Sequence, residues 1–334
     1  MNTKGWVGEE GKRHYISDED YEEAKDQELE FQSAAVSFEA PHFVFWAKSY
    51  LIDLFGEDVV EQGGLQVTTT LDLDLQNKAQ DIVYNQIEDN KAALNAYNGS
   101  LVAMDPRNGE VLALVGSKGY FLESQPAGCT SGIAGADGCK FDPQLNVALS
   151  ERQPGSAIKP ITYATLLEQG YPASYPLLDV PTKFEGSSPT KPYAPENYDG
   201  IFRGPMSLRK SLGNSLNIPA VKALKIAGID NMIDLAEEMG ITTFTDRQRF
   251  GLALTLGGGE TKLLELTNAF GVFAGKGEYR RATPILEVKD SHGNTLYKHS
   301  PNGREVLSEE VAFLISDILS DDGARSAVFG PRRL

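Results

Sequence analysis

RQPGSAIKPITYATLLEQG, residues 152–170, places a serine and a lysine three positions apart at the head of an apolar run. The run reads as a helix that begins near Ser156 and continues to about Glu168. Pro160 is compatible with it because a first-turn N–H has no helical partner to lose. A serine hydroxyl is a poor nucleophile until a base takes its proton. Lysine is cationic at neutral pH, with a free pKa of ~10.4. It becomes a base when it is desolvated or held in positive potential. The first helical turn supplies such potential and aims free backbone N–H groups at any oxyanion formed there. Ser156 and Lys159, at i and i+3, share one helix face. Gly155 permits close backbone approach, and Ala157 and Ile158 are expected to bury the turn and help desolvate the lysine. The tetrapeptide alone leaves Ser156 open to two readings, nucleophile or helix N-cap. A second Ser-x-x-Lys, Ser207–Lys210, contains Arg209 and reads as a solvated, charged turn with Ser207 as an ordinary N-cap.

A lysine base gains from a further hydroxyl that relays the proton and from an amide that holds the substrate. Ser215-Leu216-Asn217 offers both, facing the same way if the backbone is extended. An ordinary polar loop is the alternative, and Ser300-Pro301-Asn302 shows the same tripeptide pattern recurring in a turn. Competing chemistries lack residues. The four histidines, His14, His42, His292 and His299, do not neighbour a promising serine, and there is no G-x-S-x-G elbow. Gly257-Gly258-Gly259 is not followed by the Lys-Ser/Thr of a phosphate loop and reads as a tight helix-to-helix turn. Cys129 and Cys139 flank a Gly-rich loop. They form a disulfide in an oxidising compartment or remain two thiols, and no nearby His completes a zinc site.

The 334 residues carry a net charge of −16, which argues against a nucleic-acid partner and against electrostatic adhesion to anionic lipid. No apolar run is long enough to span a bilayer, and Met1–Gly11 lacks a signal-peptide core. Residues 1–33 are acidic and read as a surface helix or tether, with Ser17 as an N-cap. Helical spacing is expected over Pro41–Phe55, residues 73–94, Ser207–Ala227, Asn231–Met239, Thr261–Gly275 and a final helix Glu309–Leu319. Strands are expected at 65–72, in a hairpin of 100–105 with 110–117 across Asn108-Gly109, and in a second hairpin of 285–290 with 295–299. Residues 118–152 read as loop with at most one short helix, and 170–206 as a long surface loop of the kind that often serves function. Hairpins and helical blocks without regular β-α alternation predict an α+β fold.

The segment 152–170 resembles the active-serine region of class A penicillin-binding proteins. So does GPMSLRKSLGNSLNIPAVKAL (204–224), where that family carries a Ser-x-Asn element. APENYDGIFRGP (194–205), LTLGGGETKLLELTNAFGVFAGKG (254–277), APHFVFWAKSYL (40–51) and GGLQVTTTLDLDLQ (63–76) are similar to it in the same order. The resemblance covers roughly residues 40–320. It implies a penicillin-binding-protein/serine β-lactamase-like transpeptidase fold, an antiparallel sheet flanked by helices. Residues 1–62 would then be the end of a glycosyltransferase region with its connector, and 63–334 the transpeptidase domain. It further implies that Ser156 attacks the penultimate D-Ala carbonyl of a peptidoglycan stem peptide. Lys159 would accept its proton, Ser215 would relay a proton to the leaving D-Ala, and Asn217 would bind the substrate amide. The Ser156 N–H would form half of the oxyanion hole. β-Lactams would acylate the same serine, with no metal or organic cofactor needed. The site would face the extracytoplasmic side of the bacterial membrane, in the periplasm or at the cell surface, anchored through a segment upstream of this chain.

The family's third element, Lys-Thr/Ser-Gly, does not occur in residues 1–334, and Ala274-Gly275-Lys276-Gly277 does not replace it. That element would supply the second oxyanion N–H and groups that bind the substrate carboxylate. Loss of one oxyanion donor costs about 10²–10³ in rate. The chain is therefore expected to be a fragment, incomplete at its C-terminus and inactive by itself, which detectable acylation by a fluorescent penicillin would refute. A non-catalytic module that binds peptides or partner proteins is the alternative, followed by a serine β-lactamase or carboxypeptidase using the same Ser-Lys chemistry.

Overall fold

The computed structural model describes residues 38–132, 137–188 and 191–330. The acidic stretch 1–33, with Ser17, lies outside the described residues. Helix α1 (Pro41–Phe55) has the bounds its apolar spacing predicts. Phe43, Ala47 and Leu51 recur every four residues on one face and pack with Val111, Leu114, Ile285 and Val288. A short helix α2 (Glu57–Gln62) leads to β1 (Gln66–Thr69), the centre of the expected strand. Helix α3 (Leu73–Leu94) starts at Asp72, whose carboxylate accepts the Leu75 N–H at 3.0 Å. The hairpin of β2 (Leu101–Asp105) and β3 (Glu110–Val115) turns at Asn108-Gly109, as read from sequence. Gln76 of α3 is buried and bonds both the N–H and the C=O of Leu114, at 2.8 and 3.3 Å, so that this β3 peptide is not left unpaired in the core.

Among the described residues of 118–150 there are turns and bends but no helix. Cys129 and Cys139 form a disulfide, so the bridged alternative is the one realised. Strand β4 (Glu151–Arg152) enters a 3-10 turn, Gly155–Ile158, which continues as helix α4 (Lys159–Glu168). The expected long loop 170–206 instead contains four short strands, β5 (Pro176–Asp179), β6 (Phe184–Ser188), β7 (Lys191–Tyr193) and β8 (Gly204–Ser207). They pair as β5 with β8 and β6 with β7. Two-stranded ribbons pair on one edge only, so they tolerate Pro176, Pro192 and Pro205 and show little alternation in sequence.

The helical block expected over Ser207–Ala227 divides into α5 (Leu208–Gly213) and α6 (Asn217–Ala227). The cause is Ser215, whose φ of 52° lies in the left-handed region, where a right-handed helix cannot continue. Then come α7 (Ile229–Glu238), β9 (Thr261–Lys262), α8 (Leu263–Ala274), β10 (Glu278–Tyr279), the hairpin β11 (Ile285–Lys289) and β12 (Thr295–Lys298), β13 (Arg304–Glu305) and α9 (Glu309–Ser320). One more helix, α10 (Asp322–Phe329), extends beyond the final helix read from sequence. Asp321 caps it through the Ala324 N–H at 2.9 Å. Among the described residues the sheets are small: an antiparallel β1–β11–β12 sheet and five two-stranded ribbons.

Helix α4 is the centre of the larger core, with every residue from Lys159 to Leu167 buried. It packs on α6, α7 and α9 through Ile158, Ile161 and Leu166 with Leu224, Ile233 and Ile315. A helix buried all round must satisfy its polar side chains internally. Thr162 Oγ1 pairs with Thr255 Oγ1 at 2.9 Å, and Thr165 Oγ1 donates to Ile161 O at 2.9 Å. The Tyr163 hydroxyl has no partner among the described residues. Burial, helped by the negative charge of Asp179, raises its pKa and keeps it neutral. Tyr163→Phe should therefore unfold at the same or a higher urea midpoint, gaining up to about 1 kcal/mol. A loss of more than about 1 kcal/mol would show that the hydroxyl is bonded in solution.

Candidate active site

Ser156 is the second residue of the 3-10 turn, and its side chain is exposed. As a first-turn residue it has an N–H without an intrahelical acceptor. Lys159 begins the α-helix proper and has no exposed surface. Of the two residues expected to shield it, Ile158 is buried but Ala157 is exposed. The lysine is desolvated by the core beneath the turn, not by the turn itself. Ser156, Lys159 and Ser215 line one cavity of about 350 Å³, so the structure brings these three sequence candidates together.

Lys159 Nζ donates to Ser215 O at 2.6 Å, Ser215 Oγ at 3.1 Å and Asn217 Oδ1 at 2.8 Å. These bonds occupy the three protons of an ammonium. None goes to Ser156 among the described residues. The extended backbone that would let Ser215 and Asn217 face the same way does not form across these residues. Ser215 occupies the left-handed break between α5 and α6, Leu216 is extended, and Asn217 opens α6. A non-glycine residue in that conformation costs about 1 kcal/mol or more. It is retained where it turns both the hydroxyl and the carbonyl of Ser215 toward Lys159.

Burial pushes the Lys159 ammonium down from 10.5 to about 7. The cause is desolvation, opposed by the three dipoles around it and by no carboxylate among its hydrogen-bond partners. Near neutral pH a substantial fraction is therefore free amine, with one lone pair. In that form Nζ keeps two donors and can accept a proton from a hydroxyl.

The surrounding loops hold this geometry. Asn217 N–H donates to Asn197 Oδ1 at 2.8 Å, and Asn217 Nδ2 donates to Glu196 O at 2.7 Å. Asn197 Nδ2 donates to both oxygens of the buried Asp179, at 2.8 and 2.9 Å, and Arg203 N–H reaches the same carboxylate at 2.9 Å. The 194–205 loop is thus bolted to the start of α6. On the opposite side, β4 pairs with β9. Gly257 packs on the turn before the serine: a Cβ there would lie 2.3 Å from Gly155 N and 2.4 Å from its Cα. The triple glycine was read as a bare turn; its contact is with the Ser156 backbone segment, from a hundred residues away. Asn197, Asp179 and Gly257 were missed as site supports, because their partners are distant in sequence. The signal that pointed to Asn197 was the family resemblance of APENYDGIFRGP, residues 194–205, which contains it.

The second Ser-x-x-Lys behaves as an N-cap, with Ser207 Oγ accepting the Lys210 N–H at 3.2 Å. Its turn is not simply solvated, since Arg209 is partly buried and bonds Asp317 at 2.6 Å and Asp321 at 3.0 Å. A larger cavity of about 580 Å³ contains Lys276, Glu278, Arg280 and Glu309, but its cations already pair, Lys276 with Glu309 at 2.8 Å and Arg280 with Glu278. No group of three His, Cys, Asp or Glu side chains among the described residues is placed to hold a metal ion.

Two outcomes follow from this geometry. The folded pKa of Lys159, about 7, lies below the 10.5 of the ordinary side chain, so the unfolded chain binds more protons between these values. The contribution of this site to stability is therefore lowest below pH 7 and rises with pH across that window. In urea unfolding at about pH 6.5 and about pH 9, wild type should gain stability relative to Lys159→Met at the higher pH. Equal pH dependence would mean that Lys159 titrates as a solvated lysine. Gly257→Ala should displace the Gly155–Ser156 backbone, lowering stability by about 1–3 kcal/mol. Unchanged stability would show that the turn does not depend on this contact.

Residues 99–327 match the family described as "Penicillin binding protein transpeptidase domain". Penicillin-binding protein 2D of Bacillus subtilis (strain 168) is 29% identical over 284 residues, covering 84% of this chain and 37% of that protein. Penicillin-binding protein 1A of Clostridium botulinum (strain Hall) is 30% identical over 288 residues, covering 82% and 32%. The chain spans about a third of the length of these curated relatives. Among solved structures, penicillin-binding protein 1A from Haemophilus influenzae superposes with a TM-score of 0.72 at 22% identity, covering 96% of this chain and 62% of that one. PonA1 from Mycobacterium tuberculosis in complex with penicillin V gives 0.68 at 20% identity, covering 87% and 72%. The fold is thus shared with penicillin-binding proteins as an α+β architecture, and the chain belongs to the penicillin-binding protein transpeptidase domain family.

Proposed function

We propose that this chain carries the acyl-transfer site of a peptidoglycan DD-transpeptidase that cross-links stem peptides and is acylated by β-lactams. The observation that carries the reading is the buried Lys159, placed in one cavity with an exposed serine and bonded to a second serine. In the first step Ser156 Oγ bonds to the carbonyl carbon of the penultimate D-Ala and gives its proton to neutral Lys159. The C–N bond to the terminal D-Ala then breaks, and the leaving amine takes a proton from Ser215, which Lys159 replaces. In the second step an amine of a neighbouring stem peptide bonds to the acyl carbon and the Ser156 ester bond breaks. The acceptor's proton returns through Lys159 and Ser215 to Ser156. The Ser156 N–H points its dipole at the oxyanion of each tetrahedral intermediate. Asn217 holds Lys159 in place and offers its amide to the substrate backbone.

We assign residues 1–62 to the end of a glycosyltransferase region and its connector, and 63–334 to the transpeptidase portion. The extracytoplasmic face of the bacterial membrane, periplasm or cell surface, is the assigned location. The Cys129–Cys139 disulfide supports an oxidising compartment. No helix among the described residues is long and apolar enough to cross a membrane.

In a polypeptide that joins this chain to a Lys-Thr/Ser-Gly strand, Ser156→Ala should abolish covalent labelling by a fluorescent penicillin, while Lys159→Met should slow it by about 10²–10⁴. For the unsubstituted protein the acylation rate should rise with pH through about 7 and then level off, because the neutral amine is the base. Covalent label retained on Ser156→Ala would sink the assignment.

A further inference from the structure

We infer that the buried carboxylate of Asp179 is a positioning residue for the acyl-transfer base, acting on Lys159 through a fixed chain of two side-chain amides, Asn197 and then Asn217. The inference rests on the acyl-transfer reading above. Asp179 ends β5 and has no exposed surface. Its hydrogen-bond partners among the described residues are amide N–H groups: Asn197 Nδ2, at 2.8 and 2.9 Å from the two oxygens, and the Arg203 N–H at 2.9 Å. The nearby cations bond elsewhere, the Arg203 guanidinium to Asp199 and Lys222 Nζ to Leu178 O at 2.6 Å. Hydrogen bonds to an ionised group are roughly twice as strong as those between neutral groups. The anion therefore dictates how the amide facing it must lie.

An ionised carboxylate only accepts hydrogen bonds, whereas an Asn amide has one accepting and one donating end. Asn197 must therefore turn Nδ2 toward Asp179, and the same nitrogen also donates to Ile201 O at 2.8 Å. Reversal would set its oxygen against a carboxylate and a carbonyl. With Nδ2 so held, Oδ1 is the end left for the Asn217 N–H, at 2.8 Å. The Asn217 side chain is fixed from the same loop, because its Nδ2 donates to Glu196 O at 2.7 Å. Its Oδ1 is then the end presented to Lys159 Nζ, at 2.8 Å. The polarity set at Asp179 thus reaches the base across two amides. An ammonium is stabilised by an oxygen placed there and repelled by an amide NH2. If Asn197 were released, Asn217 Oδ1 would no longer be held on Nζ, and Lys159 would bind its proton more weakly and point less reproducibly. The titratable groups that feel the Asp179 charge are Tyr163 on α4, Lys222 on α6 and Arg203. Lys159 is shifted by burial alone, so Asp179 reaches it through the bonds and not across space.

The test titrates the Lys159 side chain directly, by NMR of isotopically labelled lysine, in this chain and in Asp179→Asn, Asn197→Ala and the double variant. Lys159→Met identifies the resonance, and thermal unfolding confirms that each variant is folded. Both single variants should lower the proton affinity of Lys159 by about tenfold, the size of one weakened bond to a charged group. The double variant should lower it no further, because both changes break one chain. If Asp179→Asn does not fold, Asn197→Ala read alone decides the matter. Loss of thermal stability with an unchanged Lys159 midpoint would show a merely structural role and overturn the inference. A midpoint lowered by Asp179→Asn but not by Asn197→Ala would also overturn it, as an effect of charge across space. An unsubstituted Lys159 that titrates near 10.5 would instead overturn the acyl-transfer reading, whatever the variants do.

Discussion

Burial of the Lys159 amine without a carboxylate partner is the constraint around which the rest is arranged. A cation removed from water into an apolar core costs several kcal/mol unless dipoles replace the solvent or the proton leaves. Here both occur in part. Three oxygens, two from Ser215 and one from Asn217, surround Nζ, and the proton is held weakly. A full counter-charge would have made the lysine a permanent cation and useless as a base. No dipoles at all would have made it a permanent amine with nothing to fix its direction.

The backbone oxygen among them must come from a residue outside helix and strand, because regular structure spends its carbonyls on itself. The left-handed Ser215 frees its carbonyl and turns its hydroxyl inward. The strain is sustained by neighbours that have no room to relax: Asn214 held by α10, Asn217 held by Asn197, and Asn197 held by the buried Asp179. On the serine side the turn is braced by β9 and by the Gly257 backbone. The base is immobilised by the core, the relay by one loop system and the nucleophile by another. Misplacement of any of the three misaligns the reaction without unfolding the domain.

Much of the periodic structure was legible in sequence. Pro41–Phe55 and Leu73–Leu94 show their helical spacing, and the β2–β3 and β11–β12 hairpins their turn residues. These elements are set by local physics: side-chain period, capping and turn conformers. The misreadings share a different cause. Within 170–206, β5 and β8 are pairing partners far apart in the chain, and β6 and β7 form a local hairpin of strands too short to leave a periodic trace. The break at Ser215 follows Gly213-Asn214, a helix-stop signal that the reading of one continuous helix passed over. Helix α10 has a readable cap, Asp321, but too short an apolar pattern to stand out.

The sequence by itself determined the chemistry available: a serine and a lysine one turn apart, a second Ser-x-Asn, no histidine to compete, and an ordered set of segments similar to a known family. Only the tertiary structure decided that Ser156, Lys159 and Ser215 share one cavity and that the lysine has no exposed surface. Residue type and spacing are local properties. Desolvation, and the meeting of side chains 56 residues apart, arise only when α4 is enclosed on every side by α6, α7 and α9.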